Sequence, residues 1–162
     1  MPQMTNFLIL LFALIVVFIV IRYVISRIIG DYKKRARVMN TSERELYLIL
    51  QKELGGKYIV LSKVRIEDFV DVSKNGLSWN DEQSLRGRIK SRHVDFLICD
   101  LSSTEPLYAI ELDGASHLKD KTIERDRFVD RLYKKIGLPM THITVGSNFA
   151  KEVEEIKNLL LE

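Results

Sequence analysis

Twenty consecutive residues, Pro2 to Ile21, carry no charged side chain, and from Phe7 onward nearly all of them are aliphatic or aromatic. A small globular domain cannot bury such a run on every side. A bilayer core about 30 Å thick, by contrast, takes about 20 apolar residues as a helix. The stretch from about Thr5 to Ile29 is therefore expected to cross a membrane, with Arg22 near its end able to reach the interface. A secretory signal would need a basic start and a small-residue cleavage site. Met1-Pro2-Gln3-Met4 has no basic side chain, and no A-x-A-like site follows.

Charge gives the orientation. Arg22, Arg27, Lys33, Lys34, Arg35 and Arg37 follow the apolar run, opposed only by Asp31. Basic flanks stay on the cytoplasmic side, so a single-pass anchor in the cell inner membrane with a cytoplasmic C-terminal domain is expected. The same collar can meet anionic lipid head groups. Six of the 25 Lys and Arg residues precede Val38, but only one of the 22 Asp and Glu residues does; 19 basic and 21 acidic residues remain, a net charge of −2. The overall charge of +3 thus belongs to the collar and is not the mark of a basic nucleic-acid-binding face. The single cysteine, Cys99, excludes a disulfide framework and reads as a small buried hydrophobe. The chain divides into an anchor over residues 1–30, a basic linker over 31–40 and one modest domain over 41–162.

In that domain Asn40, Thr41 and Ser42 offer N-cap oxygens. With Glu43, Glu45 and the periodic Leu46, Ile49 and Leu50, they predict an amphipathic helix ending at Gly55-Gly56. Tyr58 to Ile66 reads as a strand. Asp68 to Asn80 carries turn chemistry at Ser73-Lys74-Asn75-Gly76, with Trp79 a candidate to pack this loop back on the body. Arg86, Arg88, Lys90 and Arg92 follow, a solvated polar face by default or a set of phosphate contacts. Two core strands come next, His93 to Asp100 and the run opening Ala109-Ile110-Glu111-Leu112-Asp113-Gly114, with Ser116 to Asp120 as a loop. A helix over Thr122 to Ile136 has the apolar stripe Val129, Leu132, Tyr133 and Ile136. A strand over Met140 to Val145 and a helix over Asn148 to Leu160 close the chain. The helix between the last two strands implies a parallel crossover. The fold class is α/β, a small mixed sheet flanked by helices on both faces.

Side chains two apart on a strand share a face, so Glu111 and Asp113 point the same way, and Asp95 joins them if the two strands are neighbours. Three carboxylates at the end of an apolar sheet repel one another and are costly to desolvate. They call for a cation, and a divalent metal with oxygen ligands is the natural one. Plainer roles stand beside these. Asp95 can pair with Arg88 or Arg92, Asp113-Gly114 can be a turn, and Glu43 can simply complement a helix dipole. His93 and His142 read as satisfied structural histidines, and Asp126 and Asp130 as partners on one helix face.

The string Val-Asp-Phe-Leu-Ile-Cys-Asp (94 to 100), then Ala-Ile-Glu-Leu-Asp-Gly with His117 shortly after, then the Asp-rich helix and Gly-Leu-Pro (137 to 139), resembles the restriction-endonuclease-like PD-(D/E)XK superfamily. Within it the text is similar to very-short-patch-repair-like endonucleases and to an uncharacterised bacterial domain family that often follows a membrane helix. The resemblance covers roughly Thr41 to Val145. It implies that Asp95 and Glu111 hold Mg²⁺ or Mn²⁺, with Glu43 as an outer carboxylate, and that the reaction is phosphodiester hydrolysis on nucleic acid, DNA rather than RNA. The motif's lysine position holds Asp113 here. By the same resemblance His117 becomes the candidate general acid or base, and Lys119 or Lys121 could carry the missing charge. Arg88, Lys90 and Arg92 are the candidate nucleic-acid contacts. The missing lysine also fits a nuclease fold that has lost catalysis and binds nucleic acid or protein at the membrane.

Overall fold

The computed structural model of the chain describes residues 2–30, 32–73, 75–114 and 120–161, with residues 2 and 120–127 described by their backbone alone. It divides into two units, Met1–Val38 and Met39–Glu162. The first holds one helix, α1 (Pro2–Ile29). At 1.5 Å per residue it is about 42 Å long, and it is long and apolar enough to cross a membrane.

The second unit runs α2 (Thr41–Leu54), β1 (Tyr58–Arg65), a single 3-10 turn (Ile66–Asp68), α3 (Trp79–Ile89), β2 (His93–Asp100), β3 (Pro106–Asp113), α4 (Asp120–Ile136), β4 (Met140–Thr144) and α5 (Phe149–Leu159). The four strands form one sheet in sequence order. β1 and β3 are antiparallel to β2, and β4 returns parallel to β3 after the α4 crossover, so the sheet is mixed as expected. Helices cover both faces. On one, Leu46, Leu50 and Leu54 of α2 and Phe149, Val153 and Ile156 of α5 meet Val60, Phe96, Ile98, Tyr108, Ile110 and Ile143. On the other, Ile89 of α3 and Val129 and Tyr133 of α4 meet Leu97, Cys99 and Ala109. Cys99 is buried, as a small hydrophobe should be.

Two expectations change. The segment after Asn80 is helical: Ser78 caps α3 by accepting the Asp81 N–H. Only Leu85 and Ile89 supply apolar spacing there, too few to announce a helix. Trp79 does not pack the loop down. It lies in the first turn of α3 and is 72% exposed.

The sheet is irregular where β1 faces the middle of β2. Lys63 has φ +56°, the left-handed region that non-glycine residues adopt at a cost of about 1–3 kcal/mol. Register carries Ser62 onto Phe96 and Val64 onto Val94, so the interrupted position sets Lys63 across from Asp95. Alternation breaks at the same place: Val94 packs on one face and Phe96, two residues on, packs on the other. Irregularities of this kind re-aim side chains.

Candidate functional site

Asn40 begins the cluster. Its Oδ1 accepts the Glu43 N–H at 2.9 Å and its own N–H donates to Glu43 Oε2 at 2.8 Å, a reciprocal cap on α2. The other Glu43 oxygen, Oε1, accepts Lys63 Nζ at 2.7 Å. Lys63 Nζ also donates to Asp95 Oδ1 at 2.5 Å. Asp95 Oδ2 accepts the Leu112 N–H at 3.0 Å. Backbone pairing of β2 with β3 ends at Phe96 and Ile110, so the Asp95 carboxylate takes over an N–H where the ladder stops. The three charged side chains expose only 13% (Glu43), 25% (Lys63) and 14% (Asp95) of their surface. Burial pulls the Lys63 pKa down, but hydrogen bonds to Asp95 and Glu43 outweigh it, and the net shift is upward. Lys63 is therefore a firmly protonated cation between two carboxylates.

Glu111 completes the group. Carried one step past the last pair, Phe96 with Ile110, the register of β2 on β3 sets it opposite Asp95, close enough for Asp95 to act on its proton. Burial first, then the negative charges of Asp95 and Asp113 and the hydrogen bond to Asp95, push the Glu111 pKa up to about 8, with His142 opposing. Glu111 thus holds a proton at neutral pH. Tyr133 of α4 is 1% exposed, and its hydroxyl has no hydrogen-bond partner among the described residues. Burial and the charge of Glu111 push its pKa upward.

Asp113 points elsewhere. It meets His142 of β4, whose Nδ1 lies 3.0 Å from Asp113 Oδ2 and whose Nε2 lies 3.1 Å from Asp130 Oδ1 on α4. Burial lowers the His142 pKa, but the hydrogen bond to Asp130 and the charges of Asp113 and Asp130 outweigh it, so the net shift is upward. A carboxylate at each ring nitrogen favours the imidazolium more than water does.

The structure thus joins Asp95, Glu111 and Glu43 and turns Asp113 toward His142. Among the described residues no group of three His, Cys, Asp or Glu side chains is arranged to hold a metal ion; Asp95 and Glu111 stand as a pair. His117 and Lys119 lie outside the described residues, and Lys121 is described only by its place on α4. Arg88 and Arg92 lie over the Phe128 ring, 4.8 and 5.0 Å from its centroid. Lys90, at the end of α3, is exposed. Lys63, Tyr133 and the His142 bridge are the additions that sequence reasoning did not supply. The one available signal was a charge in the middle of a largely apolar strand.

The class is an α/β domain in which a lysine of β1 is set between acids of α2 and β2. Residues 35–161 match the family described as "Protein of unknown function (DUF2726)", and the chain belongs to that family. An "Uncharacterized protein" of Haemophilus influenzae is 32% identical over 111 residues, 68% of this chain and 55% of the relative, so the chain spans about half the length of that protein. No solved structure matches it.

Proposed function

We propose that the domain over 41–162 is a restriction-endonuclease-like hydrolase of nucleic-acid phosphodiesters, acting on DNA in preference to RNA with Mg²⁺ or Mn²⁺. We further propose that α1 anchors it in the inner membrane with the domain in the cytoplasm. The observation that carries the reading is the Asp95–Glu111 pair on neighbouring strands, with Lys63 and Glu43 adjoining it. The pair fits a hard divalent ion. Burial and like charge keep Glu111 protonated, and a cation shared with Asp95 removes the reason for that proton. Mg²⁺ takes one or two protein carboxylates and keeps several waters, so a two-carboxylate set suffices.

Asp95 and Glu111 would hold the ion. Such an ion would supply Lewis-acid polarisation of the scissile phosphate and a lowered pKa for an attacking water. Lys63 supplies fixed positive charge to the developing phosphoryl charge, the part that Asp113 cannot play at the motif's lysine position. Glu43, held by the Asn40 N–H, orients Lys63. Arg88, Lys90, Arg92, Lys119 and Lys121 are the proposed backbone contacts, and His117 the proposed proton carrier. The anchor draws its support from the length and apolarity of α1 and from the basic residues that follow it.

The test is hydrolysis of DNA and of RNA with Mg²⁺ or Mn²⁺ by the full chain. Glu111→Ala and Lys63→Met are each expected to lose about 100-fold or more. No turnover on either polymer, or equal turnover in the variants, contradicts catalysis. Two observations favour a second reading, a binding module without turnover: Asp113 is tied to His142 and the body is slightly acidic. That reading expects salt-sensitive nucleic-acid binding with no cut product.

A further inference from the structure

A groove of about 690 Å³ lies between the segment around Val70–Leu77, α3 and α4, apart from the acid–lysine cluster. Its floor is aliphatic: Val70, Val72, Leu85, Ile89, Leu132 and Ile136. Its rim is cationic, with Arg88, Arg131 and Lys135 against one acid, Asp71. Arg131 and Lys135 lie one helical turn apart on α4, so they share a face. Both are exposed, and neither has a carboxylate partner among the described residues. Its volume lies in the range of small-ligand sites, about 300–1,000 Å³.

We propose that this groove binds an anionic phospholipid, one acyl chain along the aliphatic floor and the phosphate at Arg131 and Lys135. Charge complementarity selects an anion, and the floor selects a long hydrocarbon over a polar ligand. Nucleic acid fits less well. Single strands need aromatic platforms for their bases; the groove has one ring, Phe128, and the Arg88 and Arg92 guanidinium groups already lie over it. The supply of such a lipid rests on the anchor half of the proposed function. The connector from Gly30 to Asn40 extends to at most about 40 Å, so the domain stays tethered to the segment that would supply the lipid. The nuclease half is not needed.

Trp79, the only tryptophan, sits exposed on the helix that supplies Leu85 and Ile89, and it makes the test direct. Full-length protein in nonionic detergent is titrated with short-chain phosphatidylglycerol brominated on its acyl chains, below the lipid's own micelle concentration, while Trp79 fluorescence is followed. The expected result is saturable quenching, weakened about tenfold or more with brominated phosphatidylcholine and in Arg131→Glu/Lys135→Glu. Lys134→Glu, on the same helix outside the groove, stays like wild type, and thermal melts check that all variants fold. Equal quenching by the two lipids, an unaffected double variant, or reversal by a single-stranded oligonucleotide but not by unlabelled phosphatidylglycerol overturns the proposal. Alkaline extraction of membranes tests the anchor separately, so the two failures are distinguishable.

Discussion

Glu111 lies between two arrangements of the same form. On one side Lys63 stands between Glu43 and Asp95; on the other His142 stands between Asp113 and Asp130. The first is largely buried, its side chains 13–25% exposed, while the second is open, at 37–49%. The difference is physical. A buried cation between acids cannot be removed without leaving uncompensated charge, whereas an exposed one is replaced by water and salt. Asp95 reaches the Glu111 carboxyl, and Asp113, two residues along the same strand, is diverted into the open bridge.

The largest expected effect belongs to Glu111. Its folded-state pKa is raised from 4.5 to about 8. Its contribution is fully present below 4.5 and is lost as pH rises through about 8, because the folded state binds the proton more tightly. Without divalent ions, stability should fall across that window by on the order of 4 kcal/mol, and Glu111→Gln should flatten the profile in denaturant titrations from pH 5 to 8.5. A parallel slope in the variant removes Glu111 as its cause. His142, also raised, adds a smaller loss of the same sign as pH climbs above 6.5.

Next comes the buried cation. Lys63→Met should cost about 3 kcal/mol by leaving Glu43 and Asp95 facing each other, measured by urea unfolding at pH 7. The matching change on the open side, His142→Gln, should cost about 1 kcal/mol or less. Equal costs would erase the distinction between the two arrangements. Lys63→Gly sharpens it further. Glycine relieves the φ of +56° but lacks the ammonium, so this variant should be more stable than Lys63→Met by about 1 kcal/mol or less.

Strand spacing singled out Glu111, and Asp95 on the condition that its strand is the neighbour. Glu43 entered the site only through the family resemblance, since local spacing gives it no more than a helix-dipole role. Lys63 was not legible. Its role depends on the pairing of β1 with β2 across an intervening helix, and on a left-handed backbone that no local residue preference announces. Asp113 does not join the pair because parity on a strand assigns a face, not a partner, and the His142 ring on β4 takes its carboxylate. α3 was missed because two apolar residues cannot display a period. The parallel crossover was legible because the β3-α4-β4 segment obeys the connection rule.

The central claim is that Asp95 and Glu111 share a divalent ion. Mn²⁺ titration of the full chain, followed by electron paramagnetic resonance between pH 6 and 9, tests it most directly. The account predicts one site that tightens as pH rises toward about 8, where Glu111 gives up its proton, and that disappears in Glu111→Ala. Binding that is indifferent to pH and survives in Glu111→Ala, or no binding to wild type at any pH, would contradict it.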